Sequence, residues 1–299
     1  MDTTQTPSPR SVAARSASPG IIDRRRAPGL IGASAAGALV VARSGIAAAK
    51  QALTVIPQET AGPYPADGSN GPNVLTQSGI VRADMRSSFG SMTGTAAGVS
   101  TDMIFTVVSA ATGAPIANAA VYLWHCDADG KYSVYDLPNA NYLRAVQVTA
   151  ADGTVKFTTI YPGCYNGRWP HMHFEVYESL AAATGGTAKP VATSQVALTK
   201  ATSAKVYTLA TYAGSAAALN NANITTDNVF SDGATSQTPS ESGSETTSLT
   251  LRLTVPVNMA ASTAATATTT TSAASASSAT TPAVATAPVA ATGTPAYTG

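Results

Sequence analysis

The chain has 299 residues, with 17 basic against 16 acidic side chains, and only 11% of it is charged; typical proteins carry roughly 25%. There is no basic stripe, which argues against a nucleic-acid partner. The length fits one large domain or two small ones.

In chain order, residues 1–49 have the layout of an export signal. Arg24-Arg25-Arg26 precede an uncharged run from Ala27 to Ala42, and Ala47-Ala48-Ala49 offers a small-residue cleavage site. The arginine cluster suits the twin-arginine route, so the protein is expected to be secreted or cell-wall-associated. The apolar run is rich in Gly and Ala and shorter than the roughly 20 residues of a membrane span, so no stable span is expected in the mature chain. Six of the 17 basic and two of the 16 acidic residues lie in this segment, leaving a formal net charge of −3 on the remainder.

Residues 50–258 read as an all-β domain, a β-sandwich of mixed sheets with long loops. Met103 to Val108 is β-branched and aromatic, and the turn Thr112-Gly113-Ala114-Pro115 follows it. Ala119–Cys126 is a second strand, and Val146–Thr149 a third. Asp152-Gly153 signals a hairpin, with Val155–Tyr161 continuing beyond it. His171–Tyr177 alternates polar and apolar, and Thr193–Leu198 and Ser248–Val257 close the set. Short strands between Gly, Pro and Asp turns indicate a sandwich or barrel. Residues 199–247 read as long loops with short structured pieces, and no long amphipathic helix or internal repeat is found. From Ala260 to Gly299 no residue is charged and nearly all are Ala, Thr, Ser, Pro, Val or Gly. Such a segment buries too little apolar surface to offset its ordering entropy, so 259–299 is expected to be a disordered low-complexity tail.

The chemistry concentrates in Pro162–Phe174, PGCYNGRWPHMHF, which holds two of the three histidines as His171-Met172-His173. On a strand, a His-x-His pair points both imidazoles to one face. Tyr132, in Gly130-Lys131-Tyr132, lies 33 residues before Tyr165. Two phenols and two imidazoles form an unusual donor set. Free tyrosine has a pKa near 10, so binding both as phenolates at neutral pH needs a strongly acidic cation. Fe(III) meets that need better than Zn(II) or Fe(II), and imidazole also suits iron. Four protein donors leave coordination positions open for a bidentate substrate such as a catechol.

These residues resemble the intradiol ring-cleavage dioxygenases, the catechol, hydroxyquinol and protocatechuate dioxygenases, and the secreted single-domain members most of all. The matching segments are Glu59-Thr60-Ala61-Gly62-Pro63-Tyr64, the run WHCDADGKYSVY from Trp124 to Tyr135, and the Asp152-Gly153 hairpin with Phe157-Thr158-Thr159-Ile160. Asp227-Asn228-Val229-Phe230-Ser231-Asp232 also matches. The resemblance implies one Fe(III) per chain, held by Tyr132, Tyr165, His171 and His173. It implies cleavage of a catechol-type ring by O2 between the two hydroxylated carbons, giving a cis,cis-muconate-type diacid. Tyr165 would yield its place to the substrate, Arg168 would stabilise negative charge, and Gln195 and Tyr64 would line the substrate pocket. The sequence departs from the family at Trp169-Pro170, where Pro-Ala is usual, and at Cys164, where Trp or Pro is expected. The helical dimerisation segment of intracellular catechol enzymes has no counterpart, so oligomeric state does not carry over.

Other readings stand beside these. Cys126 and Cys164 permit one disulfide in an oxidising compartment, or are two buried thiols. His125 with His171 and His173 would make a three-histidine zinc site and a hydrolase, or His125 is a core residue bonded locally. Trp124 reads as core packing, Glu59 and Tyr64 as anchors of the N-terminal segment over the site, and Asp84 with Arg86 as an ion pair. An extracellular binding module that kept the scaffold without the catalysis is a further alternative.

Overall fold

A computed structural model describes residues 52–261. The expected export segment and all but the first three residues of the expected tail lie outside the described residues. Among the described residues eight strands form two four-stranded sheets, as the short strands between Gly, Pro and Asp turns implied. The strands are β1 (Ser100–Ser109), β2 (Ala120–Trp124), β3 (Arg144–Val148), β4 (Thr154–Ile160), β5 (His171–Tyr177), β6 (Ala192–Ala197), β7 (Ser240–Gly243) and β8 (Leu249–Val257). One sheet has the order β4-β1-β8-β7 and is mixed, because β1 and β8 run parallel. The other, β3-β2-β5-β6, is antiparallel throughout.

The mixed sheet is buried on one face. Met103, Phe105 and Val107 of β1 point inward while Asp102, Ile104 and Thr106 remain partly exposed, and β8 alternates likewise from Leu249 to Val257. Their inward rows meet Met172, Phe174 and Val176 of β5 in the inter-sheet core. Phe105 and Phe174 pack with ring centroids 4.9 Å apart across it, a contact worth about 0.5–1.5 kcal/mol beyond its buried area.

The second sheet is different: every residue of β2 and β5 is buried. Its outer face is covered by a strap from Glu59 to Leu75 and by the short helix α1 (Leu180–Thr184), whose apolar residues pack with Tyr122, Trp124 and Tyr177 in a second cluster. Hydrogen bonds tie the strap down. Glu59 N donates to Thr193 O, while Tyr122 Oη and the buried Arg144 Nη1 both donate to Pro65 O. Two further short helices, α2 (Lys200–Val206) and α3 (Ser215–Asn221), occupy the stretch expected to be mostly loop. Strand β7 also falls in that stretch; its sequence, Ser-Glu-Ser-Gly, has no β-branched or apolar residue to announce it. Asp84 and Arg86 do form an ion pair, at 2.7 Å and largely exposed.

Candidate metal centre

The centre is built on the covered face of the second sheet. Because β5 alternates, His171, His173, Glu175 and Tyr177 face the strap while Met172, Phe174 and Val176 face the core. Strand register then sets the neighbours of His173: Trp124 on β2 to one side and Gln195 on β6 to the other. Trp124 is wholly buried and stacks on the His173 ring at 4.9 Å and 8°. It is therefore core packing, as expected, and it also fixes the plane of that imidazole.

Two loops bring in the phenols. Tyr132 lies in the loop after β2. Its carbonyl accepts from Asp136 N and its own N–H donates to Asp136 Oδ2, while Val134 takes φ +75° and donates to Leu137 O and Ala140 O. A β-branched residue is held in the left-handed region only when its surroundings over-determine it. Tyr165 lies in the β4–β5 loop. The two loops touch at Gly163, whose N–H donates to Asp127 O; a Cβ there would stand 2.5 Å from Ala128 O, so only glycine permits the approach.

The donor atoms converge. Tyr132 Oη lies 3.4 Å from Tyr165 Oη and 3.5 Å from His171 Nε2, and His171 Nε2 lies 3.2 Å from Tyr165 Oη and 3.1 Å from His173 Nε2. Ligand bonds of about 2.0 Å to a single ion at tetrahedral angles would set such atoms about 3.3 Å apart. His171 Nδ1 sits 2.5 Å from Trp169 O, which places the proton on Nδ1 and the lone pair on Nε2 toward the cluster. Burial, then the charge of Arg168, pushes the His171 pKa down to about 3; burial and His171 hold His173 well below its usual value. Both imidazoles are neutral, as metal binding requires. Burial raises the Tyr165 phenol to about 12 and Tyr132 well above its usual value. Ionising them at neutral pH therefore requires a strong Lewis acid, which the donor set suits: two hard phenol oxygens with two imidazoles.

Arg168 borders this cluster. Its Nη1 lies 3.3 Å from His171 Nε2, and its Nη2 donates to Gln195 Oε1 at 2.7 Å. Gln195 in turn donates to Thr60 O on the strap. Gln195 thus braces the arginine and the strap as well as facing the site. Tyr64 is half-buried and packs on Tyr132 and Tyr135 at 4.9 and 5.1 Å. Gly62, at φ +72°, passes directly over His173, and Glu59 accepts from Gln237 Nε2. Glu59 and Tyr64 accordingly anchor the strap, as expected. Sequence reasoning assigned no role to Asp227, although it lay in a recognised segment. It is buried and accepts from Arg168 Nε at 3.0 Å and from Trp169 N at 2.7 Å. Burial alone would raise its pKa, but the bonds from Arg168 and Trp169 outweigh that and lower it.

The structure decides between the readings left open for the two cysteines and for His125. Cys126 and Cys164 are free buried thiols and form no disulfide. Cys126 packs in the cluster under the strap and Cys164 in the inter-sheet core; their sulfurs face Gly163 O and Arg168 O respectively. Nor does His125 join a three-histidine site. Its Nδ1 pairs with Cys126 O and its Nε2 with Thr159 Oγ1, both at 2.7 Å, and no cluster of three His, Cys, Asp or Glu exists among the described residues.

Residues 71–190 match the Dioxygenase_C family model, described as dioxygenase. That span includes both phenols, both histidines and Arg168, whereas Tyr64, Gln195 and Asp227 lie outside it. No curated protein matches the chain. Among solved structures, the chain is similar to an intradiol ring-cleavage dioxygenase from Tetranychus urticae at 22% identity, with a TM-score of 0.53, covering 70% of this chain and 98% of that one. The crystal structure of a second dioxygenase is 21% identical with a TM-score of 0.54 and the same coverage. No helix among the described residues is long and apolar enough to cross a membrane. The chain thus matches the dioxygenase family model over residues 71–190 and shares its fold with an intradiol ring-cleavage dioxygenase.

Proposed function

We propose that the protein is a non-haem ferric dioxygenase that opens a catechol-type ring with O2 between the two hydroxylated carbons. The product would be a cis,cis-muconate-type diacid containing both oxygen atoms. The observation that carries this is the convergence of Tyr132 Oη, Tyr165 Oη, His171 Nε2 and His173 Nε2. Those four residues would hold one Fe(III), which supplies the Lewis acidity that binds a vicinal diol through both oxygens and activates its ring toward O2.

The chain's own residues then have distinct tasks. Tyr165 is the less buried phenol, so it is the one able to give way to a substrate. Its raised pKa makes its oxygen a ready acceptor of a diol proton when it does. Arg168 Nη1, aimed at the same space, would stabilise negative charge as it builds on the substrate. The strap, with Gly62 over His173 and Tyr64 against Tyr132, keeps water from that side of the centre. Export through residues 1–49, the domain limits 50–258 and a low-complexity tail from 259 complete the proposal.

Oxygen uptake by the iron-loaded protein with catechol, followed by mass analysis after reaction in 18O2, tests this. One O2 consumed per diol and two labelled oxygens in a ring-opened diacid are expected. Absence of uptake with catechol, hydroxyquinol and protocatechuate alike would refute it.

A further inference from the structure

Arg168 has five N–H donors and no acceptor, and its partners divide unevenly. Nε donates to Asp227 Oδ2 at 3.0 Å, and Nη2 donates to Gln195 Oε1 at 2.7 Å and to Asp227 Oδ1 at 3.4 Å. Only Nη1 is left facing the phenol and imidazole donors. Asp227 is itself fixed. Its Oδ2 also accepts from Trp169 N, and its Oδ1 from Val229 N and Phe230 N, so the carboxylate is locked to its own turn and to the arginine's chain neighbour. Arg168 and Asp227 also border a cavity of about 220 Å³, lined further by Trp169, Asn221, Asn223 and Thr226. That space is ample for a guanidinium, so without a restraint the arginine has a second, hydrated place to rest.

We infer that Asp227 is a positioning residue. It holds the Arg168 fork out of this cavity and aims the Nη1 edge at the substrate oxygens, with Gln195 as the second point of attachment. The inference rests on the dioxygenase function proposed above and deepens it. A misplaced donor of about 1 Å costs on the order of 10²-fold in rate, and the restraint at stake here is the stronger of the two that hold the fork, since it pairs charge with charge.

Asp227→Asn separates positioning from folding. Asn keeps an oxygen for Val229 N and Phe230 N but sets an NH2 group against Arg168 Nε and Trp169 N, which are donors. In the iron-loaded protein, Asp227→Asn is expected to lower kcat about tenfold or more with little change in KM, while the visible band of the resting centre stays as in the wild type. In the Arg168→Ala background, the same substitution should change kcat less than twofold, because no fork remains to be aimed. Equal losses in both backgrounds, or an unchanged kcat with Arg168 present, would overturn the inference. A readout independent of turnover uses the metal-free protein: the 15N-labelled Arg168 Nε–H should exchange slowly with solvent in the wild type and rapidly in Asp227→Asn. Exchange as fast as that of the exposed Arg252 in the wild type would also overturn it. A wild type that shows slow Arg168 exchange but does not consume O2 with any diol would refute the dioxygenase proposal and leave the Asp227–Arg168 restraint standing.

Discussion

Gly62→Ala probes whether the strap bears directly on a metal-ligating imidazole. Gly62 sits at φ +72°, and an alanine there pays about 1–2 kcal/mol for the left-handed backbone. Its methyl would also stand 3.3 Å from His173 Cε1 and 3.9 Å from Nε2. The ring has little freedom to shift, because Trp124 stacks on it at 4.9 Å. Crowding of this kind adds about 1–2 kcal/mol. Gly71 is the matched control: its φ is +97°, yet a Cβ there meets nothing within 4 Å. At roughly 3 °C per kcal/mol for a domain of this size, Gly62→Ala should lower Tm by about 6–12 °C and Gly71→Ala by about 3–6 °C. Iron affinity should fall about tenfold or more in Gly62→Ala, in the range seen when the support of a ligand is disturbed, and stay unchanged in Gly71→Ala. Differential scanning fluorimetry and iron titration with a competing chelator read both. Equal Tm shifts and equal affinities in the two variants would refute the strap's contact with His173.

Tyr165→Phe should retain iron, change the colour of the centre and impair turnover; an unchanged rate would remove Tyr165 from the reaction. His173→Ala should lose iron, measured by metal analysis after dialysis, and wild-type occupancy would exclude it as a ligand. Tyr212→Phe should destabilise by about 1–3 kcal/mol, since Tyr212 Oη accepts from the buried Val99 N–H and donates to Tyr161 O; urea unfolding with an unchanged midpoint would contradict this. His125 is buried, and its pKa is pushed down to about 4 by that burial. The unfolded chain therefore binds a proton that the fold excludes. Its contribution to stability is intact above pH 6.5 and falls by at most about 1.4 kcal/mol per pH unit between 6.5 and 4. His125→Gln should flatten that part of the pH profile of the metal-free protein, and an identical slope would be the contrary result.

Local signals in the chain made much of this legible. β-Branched and aromatic residues marked the strand at Met103–Val108, and His171-Met172-His173 announced two imidazoles on one face. The pairing of β1 with β8 did not show. It is parallel and joins residues about 150 apart in sequence, and no turn chemistry records such a contact. Asp227 escaped notice for a similar reason: its partner Arg168 is 59 residues away, and a lone aspartate before Asn-Val-Phe reads locally as a turn. The choice between a disulfide and two buried thiols stayed open in the sequence because proximity to the two loops does not reveal which side of a sheet a sulfur occupies. Trp169, a departure from the family pattern, proved to be tied at both ends, its N–H to Asp227 and its indole to Leu198 O. Its size is accommodated without moving Arg168 from the cluster.

The central claim is that two phenolates and two imidazoles of this chain hold ferric iron with room for a diol. A visible absorption spectrum of the purified, iron-loaded protein, taken before and after anaerobic addition of catechol, tests it most directly. A broad tyrosinate-to-iron charge-transfer band that shifts on adding catechol is the predicted result. A protein that binds no iron, or stays colourless once loaded and oxidised in air, would contradict the account.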